Sequence, residues 1–321
     1  AIRRVRVEGE KRPLFYGSRC EKYDVDKDAV ERGRHLPDLF AEREAMLLDY
    51  LRPVPPGRKL GQIGIPRTMF FREWLPFFSA FCQRLGFEVV VSGPTTKRLI
   101  HRGVEAVVNE PCFPLKVAHG HLAELMDCGL KRILLPAFVN VQAPGHELGY
   151  GQVCPYAQTL CYTAPAALDF AAAGVELISP PIHMGYGGQI MRQDLRLLCE
   201  MLGGRGWDLK PAMEAGQRAQ ADFSRRCLAR GREVLAAMGP QDLAMVVISR
   251  PYNGADPGIN LGLPQKMSQL GVHALPMDFL DLDSRIARPE LAEMYWRYGQ
   301  KILAAAGLVR SEPRLHAVYI S

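Results

Sequence analysis

From Lys59 to the end of the chain, short apolar runs of strand length alternate with longer stretches of helical period. The short runs, rich in Val, Ile and Leu, predict strands at Lys59–Ile65, Phe87–Ser92, Val104–Val108, Arg132–Phe138, Val175–Ser179, Ala244–Ser249, Val272–Pro276 and Leu315–Ile320. The longer stretches predict helices at Arg72–Leu85, Leu115–Cys128, Gln189–Leu202, Met213–Met238, Leu263–Leu270 and Pro289–Ala306. Strands that are each followed by a helix pack as parallel sheets buried on both faces, joined by right-handed crossovers. The expected fold class is therefore α/β.

Three regions stand out along the chain. Residues 1–57 are charged, with a predicted helix over Leu39–Leu51 and then the breaker run Arg52-Pro-Val-Pro-Pro-Gly57. They read as an N-terminal arm. A first lobe, 58–168, carries Cys112 and Cys154, and a second lobe, 169–321, holds a helical insert at 189–238. A cleft between the lobes is expected. A chain of 321 residues is long enough for two such domains.

Composition narrows the function. Hydrophobic residues make up 48% and charged residues 23%, and no apolar run approaches the roughly 20 residues of a membrane span. The opening AIRRVRVEGEKR has no apolar segment of the kind a signal peptide needs, so a cytoplasmic location is expected. A start without Met and an end on LHAVYIS read as a processed chain or a piece of a longer one. The net charge of +6 is spread out, with no basic block interleaved with aromatics, which argues against nucleic acid. It suits an anionic small molecule or an acidic partner.

In open parallel sheets, ligands bind beyond the carboxyl ends of the strands. Here those ends carry Ile65-Pro66-Arg67, Asn109-Glu110-Pro111-Cys112, Val153-Cys154-Pro155-Tyr156, Arg250-Pro251-Tyr252-Asn253 and Pro276-Met277-Asp278. Eight cysteines with no secretory signal argue against a disulfide framework. Cys112 and Cys154 each stand just before a predicted helix, whose N-terminal partial charge favours the metal-binding thiolate. Their bland alternative is two incidental loop thiols. Cys20, in the polar arm, is either a third ligand or an exposed thiol. Cys82, Cys128, Cys199 and Cys227 read as core or helix-surface residues, and Cys161, two turns beyond Cys154, is a reserve ligand. His119 and His121 are two apart on a helix and point in different directions, so one is expected to face the site and the other to be structural. His183 follows a strand end. Arg67 and Arg250 fit a substrate carboxylate or phosphate, or structural ion pairs.

As a set, these residues resemble one family. Ile63-Gly-Ile-Pro-Arg67, Glu110-Pro-Cys-Phe-Pro114 with Lys116-Val-Ala-His-Gly-His121, Val153-Cys-Pro-Tyr156, Arg250-Pro-Tyr-Asn253 with Asp256-Pro-Gly-Ile-Asn260, and Pro276-Met-Asp-Phe279 occur in this order in the acyl-CoA dehydratase activase-related proteins. Those proteins are related to 2-hydroxyacyl-CoA dehydratase subunits and to double-cubane cluster proteins. The resemblance covers roughly residues 14–321 and implies two flavodoxin- or Rossmann-like lobes. It also implies an iron–sulfur cluster, of the 4Fe–4S or double-cubane type, with Cys112 and Cys154 as ligands. A further cysteine is expected just past the last strand, where this sequence stops at Ser321; otherwise Cys20 is the candidate third ligand.

The resemblance further implies an ATP-dependent activase partner that feeds low-potential electrons to a small-molecule or acyl-CoA substrate, and pairing into a homo- or heterodimer. Arg67, His119, Arg250, Tyr252 and Asn253 would contact the substrate or tune the cluster from around it. The chain would then be a subunit or domain of a reductase or dehydratase system of anaerobic metabolism. The alternative is a non-catalytic two-lobed binding or scaffold domain; a zinc site at the same thiols is a third reading.

Overall fold

A computed structural model describes residues 3–6, 14–16, 36–54, 59–108, 110–142, 151–286 and 293–321. Cys20 and Asn109 lie outside the described residues. Strands β1 (Arg3–Val5) and β2 (Leu14–Tyr16) form an antiparallel pair, and helix α1 spans Leu39–Leu48. The first lobe follows as β3 (Gly61–Ile65), α2 (Phe71–Leu85), β4 (Phe87–Val91), α3 (Lys97–Ala106), α4 (Phe113–Asp127), β5 (Arg132–Leu134) and β6 (Ala137–Asn140). It continues through α5 (Pro155–Ala167), β7 (Glu176–Ile178) and β8 (Pro181–His183) to the long helices α6 (Gly188–Met201) and α7 (Gly206–Ala237). The remainder is β9 (Ala244–Ser249), α8 (Pro251–Gly254), α9 (Leu263–Gln269), β10 (His273–Pro276), a 3-10 turn at Met277–Phe279, α10 (Asp283–Ile286), α11 (Arg297–Ser311) and β11 (Leu315–Ile320).

The fold is α/β with parallel sheets, as the alternation predicts. One sheet has the order β4-β3-β5-β7 and the other β10-β9-β11, with every neighbouring pair parallel. The expected strand at Arg132–Phe138 is broken by Pro136, which has no N–H to give to a ladder. It resumes as β6, and β7 resumes as β8 after Pro180, so that β6 and β8 pair beyond the first sheet. Because β7 pairs with β5, the first sheet draws a strand from beyond residue 168.

One expected strand is a helix. Val104–Val108 falls largely in α3, because Thr96 caps that helix by accepting from the Leu99 N–H at 3.2 Å, and Leu99 and Gly103, four apart, form its buried stripe. Val104 and Val108 face solvent. The last long helix starts later than predicted, at Arg297, since the backbone from Tyr295 to Arg297 is bonded to Gly151 and Gln152 in extended form.

A single core joins the two sheets. Ile63 and Ile133 from the first, and Val246 and Leu275 from the second, belong to one buried apolar cluster. At its centre are aromatic rings from α2 and β6: Phe70 stacks on Phe138 at 4.4 Å, and Phe77 and Phe78 pack beside them. Helix α1 is part of this body rather than a loose arm, since Leu39 and Leu47 are fully buried and the helix packs on α2, α7 and β10. The 32-residue α7 packs along α2 and against the turn after β10. Among the described residues no helix is long and apolar enough to cross a membrane.

Candidate functional site

Cys112 and Cys154 cap two helices. Cys112 is the N-cap residue of α4 and Cys154 that of α5, and neither side chain bonds its own helix end, which leaves both sulfurs free to act elsewhere. This placement is the one the sequence predicts, but Cys112 follows a helix and a loop rather than a strand. Cys112 is exposed and Cys154 half-buried.

Both thiols lie within electrostatic reach of Tyr252, and Cys154 also of Arg250. Arg250 ends β9 and Pro251-Tyr252 begins α8, so both side chains stand at the carboxyl edge of that sheet. Burial pushes the Tyr252 hydroxyl well above its ordinary pKa; Arg250 works against this, while negative charge at Cys154 and Cys112 adds to it. Burial also works against the Arg250 charge, but Tyr252, Cys154 and Tyr319 hold its pKa up. Tyr252 thus stays protonated and Arg250 cationic. Among the described residues no carboxylate pairs with Arg250. Asn253 is buried next to them, with Oδ1 unpaired. Arg250 also lines a narrow cleft at the ends of β9 and β10 with Arg43, Ser249, Met277, Asp278 and Lys301.

The other predicted residues lie apart from this group or cannot be placed. Arg67 is buried at the end of β3, 3.4 Å from Glu44, and burial lowers its pKa. His119 is buried, with Nδ1–H donating to the Leu115 carbonyl at 2.8 Å, and burial lowers its pKa too. His183 receives its order from Asp194, 3.0 Å from its Nδ1. Cys161 is buried and its thiol is pushed up to about 11, so it reads as core. Cys82, Cys199 and Cys227 are buried as well, and Cys128 is exposed.

Sequence reasoning missed a buried network of charges. Arg72 donates to Asp256 at 2.5 Å and to Glu44 at 2.7 Å, and Arg43 donates to Asp278 at 2.7 Å. Arg43, Arg72 and Asp256 are each about fully buried. Glu73 pairs with Lys301 and accepts from Tyr298 at 3.0 Å. The available signal was a charged residue among Phe70, Phe71 and Leu75, where an apolar side chain is the rule. Cys112 and Cys154 are at most two ligands: among the described residues, no three His, Cys, Asp or Glu side chains gather as a metal site.

No curated protein and no solved structure matches the chain. Residues 62–280, well over half of it, match the family described as the CoA enzyme activase uncharacterised domain, and the chain belongs to that family.

Proposed function

We propose that the chain is an iron–sulfur redox component of a CoA-enzyme activase system, taking low-potential electrons from an ATP-dependent activase and passing them to a small-molecule or acyl-CoA substrate. The observation that carries this reading is the placement of two uncapped thiols at helix N-termini, Cys112 on α4 and Cys154 on α5, each close enough to Tyr252 to influence its hydroxyl electrostatically. The donor set fits in kind: thiolates are the usual iron–sulfur ligands, and two helix ends and the Arg250 guanidinium favour negative charge there. Cys112 and Cys154 would hold the cluster, and further ligands would come from Cys20 or from a second subunit. When bound, such a cluster supplies one-electron transfer at low potential.

The chain's own residues define the setting. Arg250 offsets negative charge beside the sulfurs and can bind a substrate carboxylate or phosphate. Tyr252, held protonated, is a hydrogen-bond donor at the same edge. Phe113 and Tyr156, next to the thiols in sequence, are exposed and offer a docking rim for the electron donor.

The test is anaerobic purification of the chain and of its Cys112→Ala and Cys154→Ala variants, measuring iron, acid-labile sulfide and visible absorption. Iron and sulfide in the parent chain, with colour lost in either variant, are expected. A folded, colourless parent chain without iron would remove the cluster and leave a two-lobed binding domain.

A further inference from the structure

A one-way chain of hydrogen bonds runs from the end of β3 to the turn after α8. The Arg67 N–H donates to Ser92 Oγ at 2.8 Å, and Ser92 Oγ lies 2.8 Å from His121 Nδ1. His121 Nε2 lies 2.9 Å from Thr95 Oγ1, which donates to Asp256 Oδ2 at 2.6 Å. Burial, and then the Arg72 and Arg67 guanidiniums, push His121 down to about 3, so its ring is neutral. The directions follow. Thr95 has one proton and gives it to the carboxylate, so it accepts from His121 Nε2–H. Nδ1 then carries no proton and accepts from Ser92 O–H. Each group in the series donates once to the next.

Two members of this series belong to elements that carry the candidate site. His121 lies on α4, the helix that Cys112 caps. Asp256 follows Arg250 and Tyr252 by a few residues and orders the turn after them, accepting from the Gly258 and Ile259 N–H groups at 2.9 and 3.3 Å. Thr95 touches both sides. Cys154, by contrast, sits on α5, and its interaction with Arg250 does not pass through Thr95.

We propose that Thr95 and His121 are positioning residues for the thiol face, fixing the register of the Cys112 helix against the segment that bears Arg250 and Tyr252. The proposal rests on the reading of Cys112 and Cys154 as the functional thiols. Its test needs no cluster. In the full chain with a chelator present, iodoacetamide labelling of Cys112 and Cys154 is followed by peptide mass spectrometry in the parent, Thr95→Val and Thr95→Ser proteins. Valine keeps the shape of threonine and removes both hydrogen bonds, whereas serine keeps them.

The ratio of the Cys112 to the Cys154 labelling rate is expected to change by on the order of tenfold in Thr95→Val, as the Cys112 end of α4 shifts and its access to the reagent changes. Thr95→Ser restores the parent ratio. An unchanged ratio, two rates that move together, or no restoration by serine would overturn the proposal. Should Thr95→Val not fold, His121→Phe removes the same link from the α4 side, and an unchanged ratio in that variant overturns the proposal. Iron measured separately keeps the two ideas apart: a shifted ratio in a chain that never binds iron sinks the cluster alone.

Discussion

Arg72→Met is expected to destabilise the fold by about 3–5 kcal/mol, the usual cost of leaving a buried charge without its partner. Methionine replaces the apolar stem but not the guanidinium, so Asp256 would remain at 0% exposure with its cation gone. Burial works to raise the Asp256 pKa, yet the Arg72 guanidinium and the hydrogen bonds from Thr95 and Arg72 together bring it below the ordinary value. The sign of the pH dependence comes from that balance. In the parent chain the depressed pKa adds stability that is present above about 3.9, the unfolded value, and is lost as pH falls through the lower folded value. Without Arg72, burial dominates and the carboxylate becomes a liability at neutral pH that protonation relieves. Urea unfolding between neutral pH and about pH 4 should therefore show the gap between parent and variant narrowing with acid. A small gap that is flat with pH would mean that water reaches Asp256.

Gly103→Ala is expected to cost about 3 kcal/mol, at the upper end for overpacking, because the obstruction is backbone. A methyl group at Gly103 would overlap the Lys116 carbonyl oxygen, and one at Gly120 would overlap the Leu99 carbonyl oxygen. Helices α3 and α4 thus cross glycine to backbone, and neither can yield by rotating a side chain. The variant must push α4 outward, taking Cys112 with it. Thermal unfolding of Gly103→Ala beside Val104→Ala, an exposed neighbour in the same helix, measures the difference. Equal melting temperatures would contradict the crossing.

The layout of strands was legible because parallel strands bury both faces and write themselves as runs of Val, Ile and Leu. The thiol positions were legible for a similar reason: Cys112-Phe-Pro114 and Cys154-Pro155 combine a loop residue with proline near a helix start. Val104–Val108 misled because its valines satisfy strand composition while Leu99 and Gly103 set a helical period. The Arg72–Asp256 pair joins residues 184 apart in sequence, and nothing local to either announces the other. Thr95 and His121 are likewise ordinary alone; only the packing of α4 against the loop after β4 makes them neighbours.

Cys154 and Arg250 have one backbone trait in common: each is followed directly by proline and sits at ψ of 131° and 142° respectively. A residue before proline is biased away from helical dihedrals by contact with the ring. That bias favours the extended form of both residues without any ligand to hold it. Much of the conformational entropy that a binding event would otherwise remove is already gone in the free chain, spent when proline was placed in the sequence. Covalent structure therefore contributes to preorganisation at these two positions, alongside the contacts around them.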